Sequence, residues 1–255
     1  MFDTARAKLG RARKHLDQLR RDIAEYVAPG NAYTVRQERH PDTGHRVLHT
    51  TFRDVDPEWP LVIGDCLHNL RSALDHVVNE LSGGMPHTEF PIFKDRREFF
   101  KLESPSHTMG PKTGALYKLR GVSDRAWCAI ESAQPYVAEE NGLDPETEPL
   151  WILHQLNNID KHRTLHLCRE EIENFTVQGK NVFGTMMTFS SGEERTVAPD
   201  GGHGEMDVNV SFTLYVAFDE GEVRAVIGRP VEAVLNELCG TVGALIDRLE
   251  SVVSV

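Results

Sequence analysis

The 255-residue chain has few cysteines and none of the short motifs of the commonest enzyme classes. Its cysteines, Cys66, Cys128, Cys168 and Cys239, lie far apart and form no Cys-x-x-Cys pair, which excludes zinc-ribbon and thioredoxin-type chemistry. No Gly-rich phosphate loop, Gly-x-Ser-x-Gly elbow or His-Glu-x-x-His string occurs. The sequence therefore gives no support for a P-loop NTPase, an α/β-hydrolase or a zincin protease. We expect reduced, mostly buried thiols.

Long hydrophobic runs are also missing, and so is an excess of positive charge. No apolar stretch approaches the length of a membrane span, and the N-terminus lacks a secretory pattern, so we expect a cytoplasmic protein without a membrane partner. The net charge of −11 argues against non-specific DNA binding. Residues 1–21 nevertheless carry seven Lys and Arg against two Asp. This basic segment either attracts a polyanion or pairs with acidic side chains elsewhere in the chain.

The spacing of apolar residues predicts an α+β fold. Apolar residues recur three and four apart in segments that predict helices over about 3–28, 60–82, 124–134, 149–171 and 229–252. Alternating residues predict strands within 32–54, with a hairpin turn at 40–44, and within 173–227. We expect one domain, residues 1–255, with an antiparallel helical bundle as its core. The two β insertions would form a small antiparallel sheet packed on the side of the bundle.

One side of the 60–82 helix carries an unusual set of polar residues. A solvated helix face is normally rich in Lys and Glu, which form helices readily. Here the polar side chains are short Asp, His, Asn and Ser, which hold protons, phosphates or metals well. They fall within an arc of roughly 120°. These residues are Asp65, His68, Asn69, Ser72, Asp75, His76 and Asn79.

The predicted 149–171 helix carries a second polar arc. Its members are His154, Asn157, Asn158, Lys161 and His162. Arg163 falls near the apolar side, where a guanidinium needs a carboxylate or phosphate partner. If the two helices are neighbours, their polar arcs face each other and line one cleft. The alternative is a buried network of hydrogen bonds that joins the two helices and has no chemical role.

The string Arg71-Ser72-Ala73-Leu74-Asp75-His76 resembles the Arg-x4-6-His signature of the HEPN superfamily, which includes many toxin and phage-defence ribonucleases. Ser72 stands where that family frequently has Asn, Asp or His. The resemblance covers the motif helix and, loosely, the bundle. It implies metal-independent RNA cleavage without a cofactor, in a homodimer whose two motifs meet at a shared cleft.

Carried onto this chain, the resemblance implies two catalytic roles. His76 would be the general base or acid on the ribose 2′-hydroxyl or the leaving oxygen, for which an imidazole is suited. Arg71 would hold the scissile phosphate and stabilise its developing charge. The residues themselves suggest Asp75 or Asn69 as groups that orient them. His162 is a further candidate catalytic group. Candidate substrate-binding residues are His68, Ser72, His154, Asn158, Lys161 and Arg163.

Two other hypotheses come from different classes of protein. Asp65-x-x-His68 and His162-x-x-x-His166 have one-turn spacings that place two ligands on one metal, with His154 or His76 completing a zinc or manganese site. Alternatively, the chain is a non-catalytic protein that binds a protein partner or a nucleic acid through its first helix and β insertion.

Overall fold

The computed structural model describes residues 1–39, 46–101, 114–179, 185–189, 194–199, 206–219 and 223–254. The helices in these ranges are α1 Asp3–Val27, α2 Trp59–Leu81, α3 Arg96–Phe99, α4 Ala115–Lys118, α5 Asp124–Glu131, α6 Tyr136–Glu139, α7 Pro149–Asp160 and α8 Val231–Val253. The strands are β1 Tyr33–Arg39, β2 Arg46–Phe52, β3 Leu167–Gly179, β4 Thr185–Phe189, β5 Glu194–Pro199 and β6 Met206–Phe218. The predicted α+β fold class is confirmed.

The chain divides into two compact units. The first comprises Met1–Arg20, Pro57–Cys168 and Ala217–Val255, and the second comprises Arg21–Asp56 and Arg169–Val216. That residues 1–255 form a single domain, as expected from the sequence, stays a prediction. In the parts of the chain that the structure describes, no helix is both long and apolar enough to cross a membrane.

The first unit is a helical bundle in which α2 packs against both α7 and α8. The apolar residues of α2 at alternating spacings of four and three are completely buried. They are Ile63, Leu67, Leu70, Leu74 and Val77. Because these positions form one continuous stripe, their burial fixes which side of α2 faces the core and which side carries the polar arc. The helix has Pro60 in its first turn and is followed by Gly83 at φ +70°, a conformation that favours glycine.

The basic helix α1 makes contacts with α2 and α8 inside the first unit. The Cys66 Sγ of α2 donates a hydrogen bond to the carbonyl of Ala12 at 3.4 Å. On the solvent side, the Arg6 guanidinium lies 2.9 Å from Asp247 Oδ1 and also pairs with Glu250. Arg6 therefore pairs with acidic side chains elsewhere in the chain, which was the second alternative for the basic segment.

Most of the second unit is β-sheet. One sheet has the order β1-β2-β5-β4, and β3 pairs with β6 in a two-stranded sheet. The four-stranded sheet is antiparallel, with Tyr33 opposite Phe52 and Arg46 opposite Val197. Strands from both predicted insertions therefore join in one sheet. The predicted hairpin turn at 40–44 lies outside the described residues.

The prediction of a helix over 149–171 is wrong at its C-terminal end. Helix α7 ends at Asp160, and the chain is already in strand β3 from Leu167. The residues around the end, Asn157, Asn158 and Asp160, have low helix propensity because their side chains compete for backbone hydrogen bonds. Tertiary packing of the strand therefore outweighs a weak continuation of the helical spacing.

Candidate functional site

A cluster of charged side chains lies where α2, α4, α7 and the loop before α3 meet. It is called the Arg71 cluster below, and its members are linked by hydrogen bonds, ion pairs or direct electrostatic effects on one another's pKa. They are Arg71 and Asp75 of α2, Glu89 of the loop, Lys118 of α4, His154 of α7 and Lys161 just after α7. All six residues belong to the first unit.

Arg71 and Asp75, one turn apart on α2, hold the loop at Phe90. The Arg71 Nη2 donates to the carbonyl of Phe90 at 2.6 Å and lies 3.1 Å from Asp75 Oδ1. The same Asp75 oxygen accepts a hydrogen bond from the backbone N–H of Phe90 at 2.9 Å. Because both polar groups of one peptide residue are bound, the loop is fixed to α2 at this point. The completely buried Phe90 ring adds apolar packing there.

The other terminal nitrogen of Arg71 has no such partner. The Arg71 side chain is only 11% exposed, and its Nη1 is buried without a hydrogen-bond partner among the described residues. A buried donor left unpaired costs roughly 1–3 kcal/mol. A guanidinium also presents its donors in a planar fork that matches the oxygens of a carboxylate or phosphate. The Nη1 is therefore a donor suited to an anion from outside the chain.

Lys118 and Glu89 form the second pair of the cluster. The Lys118 Nζ lies 2.5 Å from Glu89 Oε1 and 5.2 Å from the centroid of the Phe93 ring. Burial alone would raise the pKa of the Glu89 carboxyl, but the Lys118 hydrogen bond and the charges of Lys118, Arg71 and Lys161 together lower it. Three cations therefore converge on this one carboxylate.

The pKa of the His154 imidazole is lowered by burial and by the cations of the Arg71 cluster. Burial and then the charges of Arg71, Lys118 and Lys161 lower the pKa of the His154 imidazole to about 4. Its Nε2 lies 3.0 Å from the amide nitrogen of Asn158, one turn along α7. The imidazole is accordingly neutral at pH 7, and a neutral ring can accept a hydrogen bond at Nε2.

Asp75 experiences opposing influences. Burial raises the pKa of its carboxyl, although Arg71 and the N–H of Phe90 act to lower it. The nearby Glu89 carboxylate adds to the rise, and Lys161 reduces it. The three cations Arg71, Lys118 and Lys161 outnumber the two carboxyl groups Asp75 and Glu89, and the imidazole is neutral, so the cluster has an excess of positive charge. This balance favours binding of an anion.

A close approach of α2 to α7 positions the α7 members of the cluster. Gly64 has no side chain, and a Cβ built there would lie 2.2 Å from Asp160 Oδ1. Burial raises the pKa of the Asp160 carboxyl, and Asp65 raises it further while His68 opposes the rise. Asp65 and His68 therefore lie with Asp160 at this contact, apart from the groups that act on Arg71.

The structure thus brings together only part of the predicted site. Arg71, Asp75, His154 and Lys161 meet in one cluster, and Asn158 contacts it through His154. The remaining predicted residues lie outside the set of side chains that form this cluster. Asn69 donates to the carbonyl of Asp65 at 2.7 Å on its own helix. The others are His68, Ser72, His76, His162 and Arg163.

The end of α7 changes the predicted environment of two of these residues. His162 and Arg163 lie beyond the helix and are exposed, so the prediction that Arg163 sits on an apolar helix side is wrong. His76 follows Arg71 by five positions, which places the two residues about 140° apart around α2. The half-buried His76 side chain has no hydrogen bond or ion pair among the described residues. Its catalytic role stays a prediction.

The donor groups do not fit the metal hypothesis. In the part of the chain that the structure describes, no three His, Cys, Asp or Glu side chains lie close enough together to hold a metal ion. The one-turn spacing assumed for His162 and His166 is absent because α7 ends at Asp160. Asp65, His68 and Asp160 act on one another electrostatically but do not form such a group among the described residues, so this hypothesis is not carried further.

Glu89 and Lys118 are cluster members that the sequence did not reveal. Both come from the segment between α2 and α5, which has Pro and Gly residues and no long periodic pattern. A single Glu or Lys in such a segment carries no spacing signal, so no sequence pattern could have identified them. Comparisons with models of protein families, with curated proteins and with solved structures find no match to this chain.

Proposed function

We propose that this chain is a metal-independent endoribonuclease in which Arg71 binds the scissile phosphate and His76 transfers the proton. The observation that carries the proposal is the buried Arg71 Nη1 without a partner among the described residues. A phosphate oxygen would satisfy this donor, and Lys118 and Lys161 add positive charge around it. The HEPN-like spacing of Arg71 and His76 supplies the type of reaction.

The proposed reaction uses the 2′-hydroxyl of the RNA itself. His76 would remove the proton from this hydroxyl, whose oxygen then attacks the adjacent phosphorus. The phosphorus–5′-oxygen bond breaks, the 5′-oxygen takes up a proton from water, and a 2′,3′-cyclic phosphate remains. Arg71 would stabilise the additional negative charge on the phosphate oxygens in the transition state. Because Arg71 and His76 of one chain lie about 140° apart around α2, one ribose–phosphate unit cannot contact both, so the reaction requires the shared cleft of the homodimer that the resemblance implies.

The wider context of this activity is part of the same proposal. We expect RNA as the partner, a homodimer that joins two motifs at a shared cleft, and a cytoplasmic location. A role as a toxin or a phage-defence component would follow from unrestrained cleavage of RNA.

A second candidate function is binding of RNA or a protein partner without cleavage. His76 lies on a different side of α2 from Arg71, which favours this candidate. The low pKa of the His154 imidazole also favours it, because that ring is a weak base. Under this candidate, Arg71, Lys118 and Lys161 would bind an anionic group and release it unchanged.

Incubation of the purified chain with single-stranded RNA, with and without EDTA, tests both candidates. We expect cleavage that resists EDTA, and a rate about 10²–10⁴ lower in His76→Gln. Arg71→Lys keeps the charge but loses the planar fork, and should lower the rate by about 10² or more. His15→Gln, a change on α1, is the matched control. Cleavage unaffected by either site variant would refute the catalytic assignment, and binding without cleavage would favour the second candidate.

A further inference from the structure

The Glu89 carboxylate occupies the position that an anionic ligand of the Arg71 cluster would take. It lies 2.5 Å from Lys118 Nζ, and it experiences the positive charges of Lys118, Arg71 and Lys161 together. These are the three cations that would bind a phosphate under the proposed function. A carboxylate of the same chain therefore already pairs with one of these three cations.

The position of Glu89 allows its side chain to leave without unfolding the loop. Its backbone N–H donates to the carbonyl of Lys118 at 3.4 Å, and the next residue, Phe90, is bound to Arg71 and Asp75. The Glu89 side chain itself is 47% exposed. Rotation about its side-chain bonds would move the carboxylate into solvent while the backbone stays in place.

We infer that Glu89 is an internal competitor, and that a phosphate group binds at Arg71, Lys118 and Lys161 by displacing its carboxylate. The inference rests on the proposed function for the identity of the anion. Lys118 exchanges one anionic partner for another, and the unpaired Nη1 of Arg71 gains an acceptor. Binding is weakened by the need to break the Lys118–Glu89 pair, so Glu89 sets the affinity of the site.

Calorimetric titration with inorganic phosphate tests this inference without any cleavage of RNA. We expect Glu89→Gln to bind phosphate about two- to fivefold more tightly than the wild-type chain, which is the effect of removing a half-exposed competing ion pair. Glu89→Asp keeps the charge but shortens the side chain by one methylene, so it should also tighten binding. An unchanged affinity in Glu89→Asp, with tighter binding in Glu89→Gln, would mean that Glu89 acts only through its charge and would contradict the displacement of a Lys118–Glu89 contact.

Glu98→Gln is the matched control, because Glu98 also pairs with a lysine, Lys101, at 3.2 Å and is similarly exposed at 54%. We expect this variant to bind phosphate like the wild-type chain. Equal affinities for the wild type, Glu89→Gln and Glu89→Asp would overturn the inference, as would an absence of phosphate binding in all of them.

A second ligand separates this result from the proposed function. A single-stranded RNA with 2′-O-methyl groups has no 2′-hydroxyl to attack its phosphates, so it reports binding alone. We expect the Glu89 variants to bind it more tightly if the site takes the phosphates of RNA. Tighter binding of inorganic phosphate alone would retain the competitor role and identify free phosphate as the source. Failure of RNA cleavage would refute the proposed function and leave the Glu89 result standing.

Discussion

The low pKa of His154 predicts a loss of stability as the pH falls from 7 toward 4. The folded chain holds this imidazole neutral among three cations, and burial and those charges lower its pKa from 6.5 to about 4. In the unfolded chain the same ring gains a proton near its ordinary pKa. Between these two values the unfolded state binds more protons, so the free energy of unfolding rises with pH. The contribution of His154 is complete above the unfolded pKa and decreases as the pH falls through 6.5 to 4.

The size of the effect follows from the two pKa values. Each pKa unit corresponds to about 1.4 kcal/mol, so a fall from 6.5 to about 4 is on the order of 3 kcal/mol. Because the ring is half-buried and solvent screens part of the interaction, we expect a loss of about 2–3 kcal/mol between pH 7 and pH 4. This is a large part of the stability of an ordinary domain.

Urea unfolding of the wild type and of His154→Gln measures the effect, because Gln does not titrate. We expect the difference in unfolding free energy between the two chains to change by about 2–3 kcal/mol over this pH range, to the disadvantage of the wild type at low pH. His162→Gln, an exposed position beyond α7, controls for the loss of an imidazole. A difference that does not vary with pH would refute the reasoning. So would an NMR titration that places the His154 pKa near 6.5.

Two further predictions concern the contacts that position the cluster. Gly64→Ala should gain less than the roughly 1 kcal/mol that alanine brings to a helix, because its Cβ would lie 2.2 Å from Asp160 Oδ1 and the Asp160 side chain would have to rotate away. Gly240→Ala, which meets nothing within 4 Å, should instead stabilise α8 by about 0.5–1 kcal/mol; equal effects of the two changes in urea unfolding would contradict this account. Gln134→Leu removes the acceptor of the Phe93 N–H, 3.1 Å away in the loop, and should cost about 2 kcal/mol. A loss below about 0.5 kcal/mol in the same measurement would contradict that role.

The amphipathic helices could be predicted from the sequence because burial of a stripe requires a fixed spacing. In α2 the apolar positions predicted from spacing are the buried ones, and the polar arc follows from them. Helix α7 shows the limit of this argument. Its end depends on strand β3, which pairs with β6 from a distant part of the sequence. Local spacing contains no information about such pairing, so the helix was predicted too long.

The composition of the site could be predicted only where it lies on a helix. The sequence suggested Asp75 as a group that orients Arg71, and spacing placed His154 and Lys161 on one arc, since each pair belongs to one helical segment or its end. It could not determine how the two helices are rotated against each other. That rotation depends on the packing of α2 against α7 as a whole, of which the contact of Gly64 with Asp160 is one part. In the structure, Arg71 acts electrostatically on His154, whereas His68 acts on Asp160.

The contacts of Arg71 bear on whether the cluster binds a ligand or only joins helices. The alternative interpretation of the polar arcs was a set of hydrogen bonds that only joins helices, and such networks are stable when every buried group is paired. Arg71 fits that description on one side, where Asp75 and the Phe90 carbonyl hold it. On its other side, the buried Nη1 lacks a partner among the described residues. The half-exposed Glu89 carboxylate stays with Lys118 although it could turn to solvent. An unpaired donor beside a carboxylate that can leave is the arrangement expected of a site that exchanges anions.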